Sequence, residues 1–416
     1  MKNGSAILRL ILVFLVAGVL TLCASAASIS SKSVGRLARS KSASVTENSR
    51  TQKRMSRMRQ SRRVTRASVR RRRARRARRV RYYERFSTSS FADDVTVGDV
   101  TAGEDPVVRQ AAIEALGNMN GTVLAIDPAS GRILAMVNQK MALSAGATPC
   151  STIKIPVALA ALSENLITKD TKVPLGKRWS MDLTTAMAHS NNAYFEVVGR
   201  RLGFEKYSYY AHQFGLGELA GWNIPGENLG TFPNEPLAEK LGGVGKMCSF
   251  GESIHMTPLQ LGALVSAIAN GGTLYYLQHP TTVDEIVNFQ PKVKRHLDIG
   301  PVLSDIFDGM AGAVNYGTAK SVRWSFSEEP VLGKTGTCSN NAGTRYGWFA
   351  SYANTEFGRI VTVVFLEGGR PTYGPKAAEI AGRMYRNLYD HSFFNAKPLQ
   401  PTNTAERGRA VVGAPQ

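Results

Sequence analysis

The feature that most constrains how this chain can fold is its division by charge. Residues 28–87 hold 22 Lys and Arg side chains against only Glu47 and Glu84, and include Arg70-Arg71-Arg72-Arg73, Arg75-Arg76 and Arg78-Arg79. Like charge at this density, with few large apolar residues, cannot bury enough surface to offset the entropy of ordering. The stretch is therefore expected to be extended and disordered. It carries almost all of the chain's formal net charge of +21, so residues 88–416 are close to neutral. Folding is confined to the part that follows, about 290 residues, which is ample for one large core.

The residues before the basic stretch read as an export segment. Positions 10–23 are nearly all apolar, preceded by Lys2 and Arg9 and followed by Ala24-Ser25-Ala26-Ala27, the small-residue pattern of a secretory cleavage site. The run is short for a membrane span, yet Arg9 can snorkel and let the segment from Ala6 act as an uncleaved anchor. Residues 1–27 are thus expected to be a signal peptide or an N-terminal anchor. A lipoprotein signal at Cys23 is disfavoured because Leu22 stands where a small residue is wanted. Residues 28–104 are expected to be a disordered Arg-rich arm and linker, and residues after Ser392, largely polar and Pro-containing, a disordered tail over 393–416.

Outside the cytoplasm an arginine-rich arm attracts an anionic membrane surface, an acidic cell-wall polymer or an acidic protein, in each case less strongly as salt rises. A solvated spacer with no specific partner is the plain alternative. Nucleic acid, the habitual partner of such a run, is not expected of an exported chain. One tension exists: Lys32, Arg36, Arg39 and Lys41 lie just beyond the apolar run, where positive charge opposes outward translocation.

Within the globular part, residues 107–116 have the pattern of a helix. Residues 121–126 and 132–137 read as strands joined by the turn Asp127-Pro128-Ala129-Ser130-Gly131. Helical patterns dominate next, over 158–166, 192–202, 207–214 and 259–269, the last ended by Gly271-Gly272. Strands return over 331–338, 346–352 and 360–367, followed by a helix over 376–388. Pro156 is tolerated only in a first helical turn, which places Ser151 near a helix N-terminus. There the positive end of the helix dipole supports an oxyanion.

Three short motifs stand in one order: Ser151-Thr152-Ile153-Lys154, Ser190-Asn191-Asn192 and Lys334-Thr335-Gly336-Thr337. Ser-x-x-Lys alone is frequent by chance, so order and context carry the weight. The spacing is chemically sensible, because residues i and i+3 of a helix share a face and bring a lysine amine beside a serine hydroxyl. A serine needs a neutral amine as its base, and a lysine loses its proton when water is excluded or another cation crowds it. Lys334 can supply that charge.

With these motifs, and with Gly215-Leu216-Gly217-Glu218, Thr257-Pro258-Leu259-Gln260-Leu261, Ala269-Asn270-Gly271-Gly272 and Gly347-Trp348-Phe349-Ala350, residues 105–392 resemble the transpeptidase domain of a penicillin-binding protein. The resemblance implies an α/β chain of the α+β kind: a five-stranded antiparallel sheet flanked by helices with an inserted all-helical subdomain, the D,D-peptidase/β-lactamase-like fold. It implies that Ser151 attacks the D-Ala-D-Ala bond of peptidoglycan stem peptides, Lys154 takes the proton, Ser190 relays one to the leaving amine and Lys334 adds positive field. Asn192 would hold the substrate backbone. Thr335, Gly336 and Thr337 would bind the terminal carboxylate, and the backbone amides of Ser151 and Thr337 would form the oxyanion hole. β-Lactam antibiotics would acylate Ser151. No metal and no cofactor are expected, and the setting implied is the periplasm or the outer face of the cytoplasmic membrane.

Several side chains have plainer readings. Thr335 and Thr337 are ordinary strand formers. Asn191 is read as spacing, and His189, His212 and His255 as packed or solvated rather than catalytic. After signal removal Cys150, Cys248 and Cys338 remain, an odd count for an oxidising compartment. Cys150 precedes the nucleophile and Cys338 follows Thr337, so a bridge beside the site is one reading and two buried apolar thiols the other. The short connection from 132–137 to Ser151, with Cys150 through Pro156, also looks like class D β-lactamases and their sensor relatives. Asn192 stands against that rival, which usually has valine there. A non-turnover penicillin-binding sensor or scaffold is the remaining alternative.

Overall fold

The computed structural model describes residues 88–355 and 358–395. The export segment 1–27, the arm over 28–87 and the tail from 396 lie outside the described residues. In chain order the elements are α1 (Pro106–Leu116), β1 (Gly121–Asp127), β2 (Arg132–Val137), α2 (Gln139–Ala142), α3 (Lys154–Ser163), β3 (Val173–Gly176) and β4 (Trp179–Met181). Then come α4 (Leu183–Ala188), α5 (Asn192–Leu202), α6 (Phe204–Gln213), α7 (Gly243–Phe250), α8 (Pro258–Asn270), β5 (Thr273–Tyr275), α9 (Val283–Val287) and β6 (Val293–His296). The chain closes with α10 (Leu303–Asn315), β7 (Val331–Ser339), β8 (Arg345–Thr355), β9 (Gly358–Gly368) and α11 (Gly374–Asp390).

The main sheet has the order β2-β1-β9-β8-β7, and every neighbouring pair is antiparallel. This is the five-stranded antiparallel sheet the resemblance implied. Because successive strand residues point to opposite faces, each strand feeds two cores. Leu124, Ile126, Trp348, Ala350, Val361 and Val363 enter the core shared with the helical subdomain. Val123, Ala125, Phe349, Ala353, Val364 and Leu366 enter a second core against α1 and α11. Strands covered on both faces read as near-continuous apolar runs, as 360–366 does.

α8 is the pillar of the first core. Every residue from Pro258 to Ala269 is buried, so apart from Gln260 and Ser266 its sequence is apolar all round instead of amphipathic. Thr257 starts it with a reciprocal capping box, its hydroxyl accepting from the Gln260 amide while the Gln260 side chain accepts from the Thr257 amide. The two-stranded pairs β3–β4 and β5–β6, and helix α10, complete the subdomain, which is therefore mostly helical and not all-helical as the resemblance implied.

Two boundaries differ from expectation. Residues 88–104, expected to belong to the disordered linker, pack on the domain. Asp99 and Glu104, both buried, grip Arg109 of α1 at 2.9 and 2.8 Å. Asp99 also accepts the amides of Asn138 and Gln139, and Glu104 meets His279 at 3.1 Å. Charged residues read as linker were thus satisfying buried partners. At the other end Phe394, assigned to the tail, is buried against Phe326. Among the described residues no helix is long and apolar enough to cross a membrane.

Candidate active site

Ser151 lies in a 3-10 turn, Cys150–Ile153, that runs directly into α3. Pro156 sits within the first turn of α3, where its missing N–H costs nothing, so the sequence places the turn where it is found. Lys154 follows Ser151 by three residues and its Nζ lies 3.0 Å from Ser151 Oγ.

The segment between α4 and α5 completes the surroundings of that amine. Ser190 has a positive φ of 56°. Its carbonyl and hydroxyl oxygens lie 2.8 and 3.1 Å from Lys154 Nζ. Asn192, the first residue of α5, places Oδ1 at 2.6 Å from the same nitrogen. Asn191, read as mere spacing, is the cap of α5, its side chain accepting the Tyr194 amide at 2.9 Å. The Ser-Asn-Asn order therefore supplies, in turn, a hydroxyl for the site, a helix cap and an amide for the site.

β7 brings the third motif. Lys334 is fully buried and its Nζ donates to Ser190 Oγ at 2.8 Å and to the Thr335 carbonyl at 3.1 Å. Thr335 is buried, with its hydroxyl 2.6 Å from that of Thr318. Thr337 is exposed and accepts the Gly374 amide at 2.7 Å, which leaves its hydroxyl proton free for a ligand. Gly336 is required by contact. A Cβ there would come within 2.8 Å of the Pro149 carbonyl oxygen, 3.1 Å of Trp348 Cβ and 3.2 Å of Thr152 Cγ2. Only a bare backbone lets β7 approach the turn that holds Ser151 this closely.

Across that seam Cys150 and Cys338 are disulfide-bonded, with their Cα atoms 5.6 Å apart. Cys248 is free and buried. His189 is exposed and lies tilted against Tyr316 at a centroid distance of 5.7 Å, and His212 packs on Phe232 at 5.2 Å. Neither is among the partners of the central amines.

Burial, and then the charge of Lys334, push the Lys154 ammonium down to about 6, with Glu196 opposing. Burial alone pushes Lys334 down to about 7. A neutral Lys154 has two N–H donors and one lone pair. Asn192 Oδ1 and the Ser190 carbonyl take the two donors, which leaves the lone pair for the Ser151 hydroxyl proton. The arrangement can thus generate a serine nucleophile near neutral pH.

All eight residues singled out from the three motifs meet here. Sequence reasoning missed Thr318, which orients Thr335, and Gly374, whose amide fixes Thr337. Neither belongs to a motif, and each is brought in by the packing of α10 and α11 around β7. Among the described residues no group of three or more His, Cys, Asp or Glu side chains is arranged to hold a metal ion.

Residues 121–388 match the family model described as the penicillin binding protein transpeptidase domain. The chain is 28% identical over 316 residues to Stage V sporulation protein D of Bacillus subtilis, covering 66% of this chain and 48% of that protein. It is 22% identical over 400 residues to the peptidoglycan D,D-transpeptidase MrdA of Acinetobacter baumannii, covering 76% and 57%. The chain therefore spans about half the length of these curated relatives. Among solved structures, the D,D-transpeptidase domain of a peptidoglycan glycosyltransferase from Eggerthella lenta superposes with a TM-score of 0.57 at 20% identity, covering 70% of this chain and 82% of that one. Pseudomonas aeruginosa PBP2 does so with a TM-score of 0.58 at 22% identity, covering 70% and 77%.

Proposed function

This chain belongs to the family of penicillin-binding protein transpeptidase domains, and from that premise we propose that it is a serine acyltransferase acting on the D-Ala-D-Ala termini of peptidoglycan stem peptides. The observation that carries the reading is a buried amine beside the Ser151 hydroxyl, with a second buried amine on the far side of the Ser190 hydroxyl. Lys154 Nζ stands 3.0 Å from Ser151 Oγ, in surroundings that hold it neutral at physiological pH.

Ser151 Oγ attacks the carbonyl of the penultimate D-alanine as its proton passes to Lys154. The tetrahedral oxyanion is received by the backbone amides of Ser151 and Thr337. As the C–N bond breaks, the proton reaches the departing D-alanine amine through the Ser190 hydroxyl, which lies between the two lysines. Lys334 supplies field, Asn192 holds the peptide backbone, and Thr335 and Thr337, flanking Gly336, bind the terminal carboxylate. The acyl-enzyme then passes its acyl group to an amine or to water. A β-lactam follows the same course as far as the acyl-enzyme.

The Cys150–Cys338 bond supports action in an oxidising compartment, outside the cytoplasm. We place the protein in the periplasm or at the outer face of the cytoplasmic membrane, with the segment 1–27 as signal or anchor. The Arg-rich segment 28–87 would bind anionic lipid headgroups or acidic wall polymers, in a salt-sensitive manner.

Intact-mass spectrometry after incubation with benzylpenicillin tests the central reading. One stable adduct on the wild type and none on Ser151→Ala is expected. Rapid release of hydrolysed drug would indicate a β-lactamase instead, and a folded wild type that takes no adduct would sink the proposal.

A further inference from the structure

We propose that the Cys150–Cys338 disulfide is a positioning clamp for acylation: it holds the backbone at Ser151 against the backbone at Thr337, so that opening the bond slows attack on the carbonyl without unfolding the domain. The inference rests on the acyltransferase reading above.

The bond joins the residue just before the nucleophile to the residue just after Thr337, across 188 positions of sequence. It therefore ties together the two segments whose amides would receive the oxyanion. Cys150 has a positive φ of 52°, a conformation a non-glycine residue keeps only when its surroundings fix it. The seam between turn and strand is close-packed, since Gly336 leaves no room for a Cβ against Pro149 and Thr152. Packing limits how near the two segments come, while the covalent bond limits how far apart they move. Displacement of an oxyanion donor by about 1 Å is enough to cost roughly a hundredfold in rate.

Other contacts hold the turn when the bond opens, which separates positioning from folding. The Trp348 indole N–H donates to the Thr148 carbonyl at 3.0 Å. On another side Gly251, at the end of α7, lies so close to Pro149 that a Cβ there would come within 2.4 Å of Pro149 Cγ. Reduction consumes two electrons and two protons from a dithiol, which becomes a disulfide while Cys150 and Cys338 become thiols. Cys150 is fully buried and Cys338 only partly, so the attacking thiolate enters at the Cys338 sulfur.

The test is saturation kinetics of acylation by benzylpenicillin, using the full chain in three forms: oxidised wild type, wild type reduced with dithiothreitol, and the Cys150→Ala/Cys338→Ala double variant. Reduction is expected to lower the acylation rate constant about tenfold or more, with little change in the reversible binding constant. Reoxidation should restore the wild type, while the double variant should be slow and indifferent to reductant. Equal rate constants in the oxidised and reduced wild type would overturn the clamp alone. Circular dichroism serves as the control: a reduced chain that unfolds below the assay temperature also overturns it, because the bond would then be holding the fold. No acylation of the oxidised wild type overturns the acyltransferase reading and the clamp together.

Discussion

Lys334 Nζ lies 2.8 Å from Ser190 Oγ, and that same hydroxyl lies 3.1 Å from Lys154 Nζ. One hydroxyl thus joins two buried amines contributed by segments far apart in sequence. Two ammonium groups this close and this buried repel each other and lack water to screen them, so the site favours a state with fewer than two positive charges on the pair.

Acylation by benzylpenicillin should rise with pH through about 6, where Lys154 loses its proton and becomes a base. Lys334→Met removes the neighbouring charge that helps hold Lys154 down, so the rising limb should move to higher pH as the maximal rate falls about 10²-fold. The pH profile of the second-order acylation constant checks this; an unmoved limb would show that burial alone sets the lysine.

Stability should carry the same signature. Lys154 has a folded value of about 6, while in the unfolded chain a lysine titrates near ~10.4, so the folded state binds fewer protons in between. The penalty for burying the amine is full below about 6 and is relieved as pH rises toward the unfolded value. Urea titrations of the wild type should show stability increasing across that window, by up to about 1.4 kcal/mol per pH unit for this group. Lys154→Met should reduce the slope. An identical slope in the variant would show that Lys154 is not the group responsible.

Thr318 ties the end of α4, two residues before Ser190, to the third motif: its amide donates to the Ala188 carbonyl at 3.1 Å and its hydroxyl pairs with Thr335 at 2.6 Å. Thr318→Val should weaken acylation by benzylpenicillin about tenfold, roughly the worth of one hydrogen bond to a charged partner. It should affect the penicillin methyl ester much less, since that compound lacks the carboxylate that Thr335 is proposed to bind, and Thr318→Ser should restore the difference. Equal losses with acid and ester would assign Thr318 a purely structural part.

Gly336→Ala should displace β7 from the turn that holds Ser151, because the new Cβ meets the Pro149 carbonyl oxygen at 2.8 Å. Overpacking of this kind costs about 1–3 kcal/mol, and the shift in geometry should lower acylation by about a hundredfold. Thermal unfolding and acylation rates, measured together, check it. Full acylation with an unchanged midpoint would refute the packing argument.

Arg109→Met should destabilise the domain by about 3–5 kcal/mol, because it leaves Asp99 and Glu104 buried without their cation. Acylation per folded molecule should be unchanged, since these residues lie outside the site. Chemical denaturation gives the first quantity and intact mass the second; a variant as stable as wild type would mean that residues 88–104 are held by other contacts.

Local chemistry was enough for much of this protein. From composition, the basic stretch 28–87, which lies outside the described residues, is expected to gather no core. Periodicity placed helices over 107–116, 192–202 and 259–269 and the strands of the main sheet, because apolar spacing reports which face of an element is buried. Ser151 and Lys154 share a helix face by arithmetic, so their meeting was legible before any fold was known. What only the tertiary structure decided are relations between distant segments. Ser190 lies between Lys154 and Lys334, Thr318 reaches Thr335, Cys150 bonds to Cys338, and residues 88–104 count as domain because Arg109 and His279 await their carboxylates. None of these has a periodic signal. Each depends on which strands become neighbours, and that choice is made by burial summed over the whole core, whereas a motif records only the residues at its own positions.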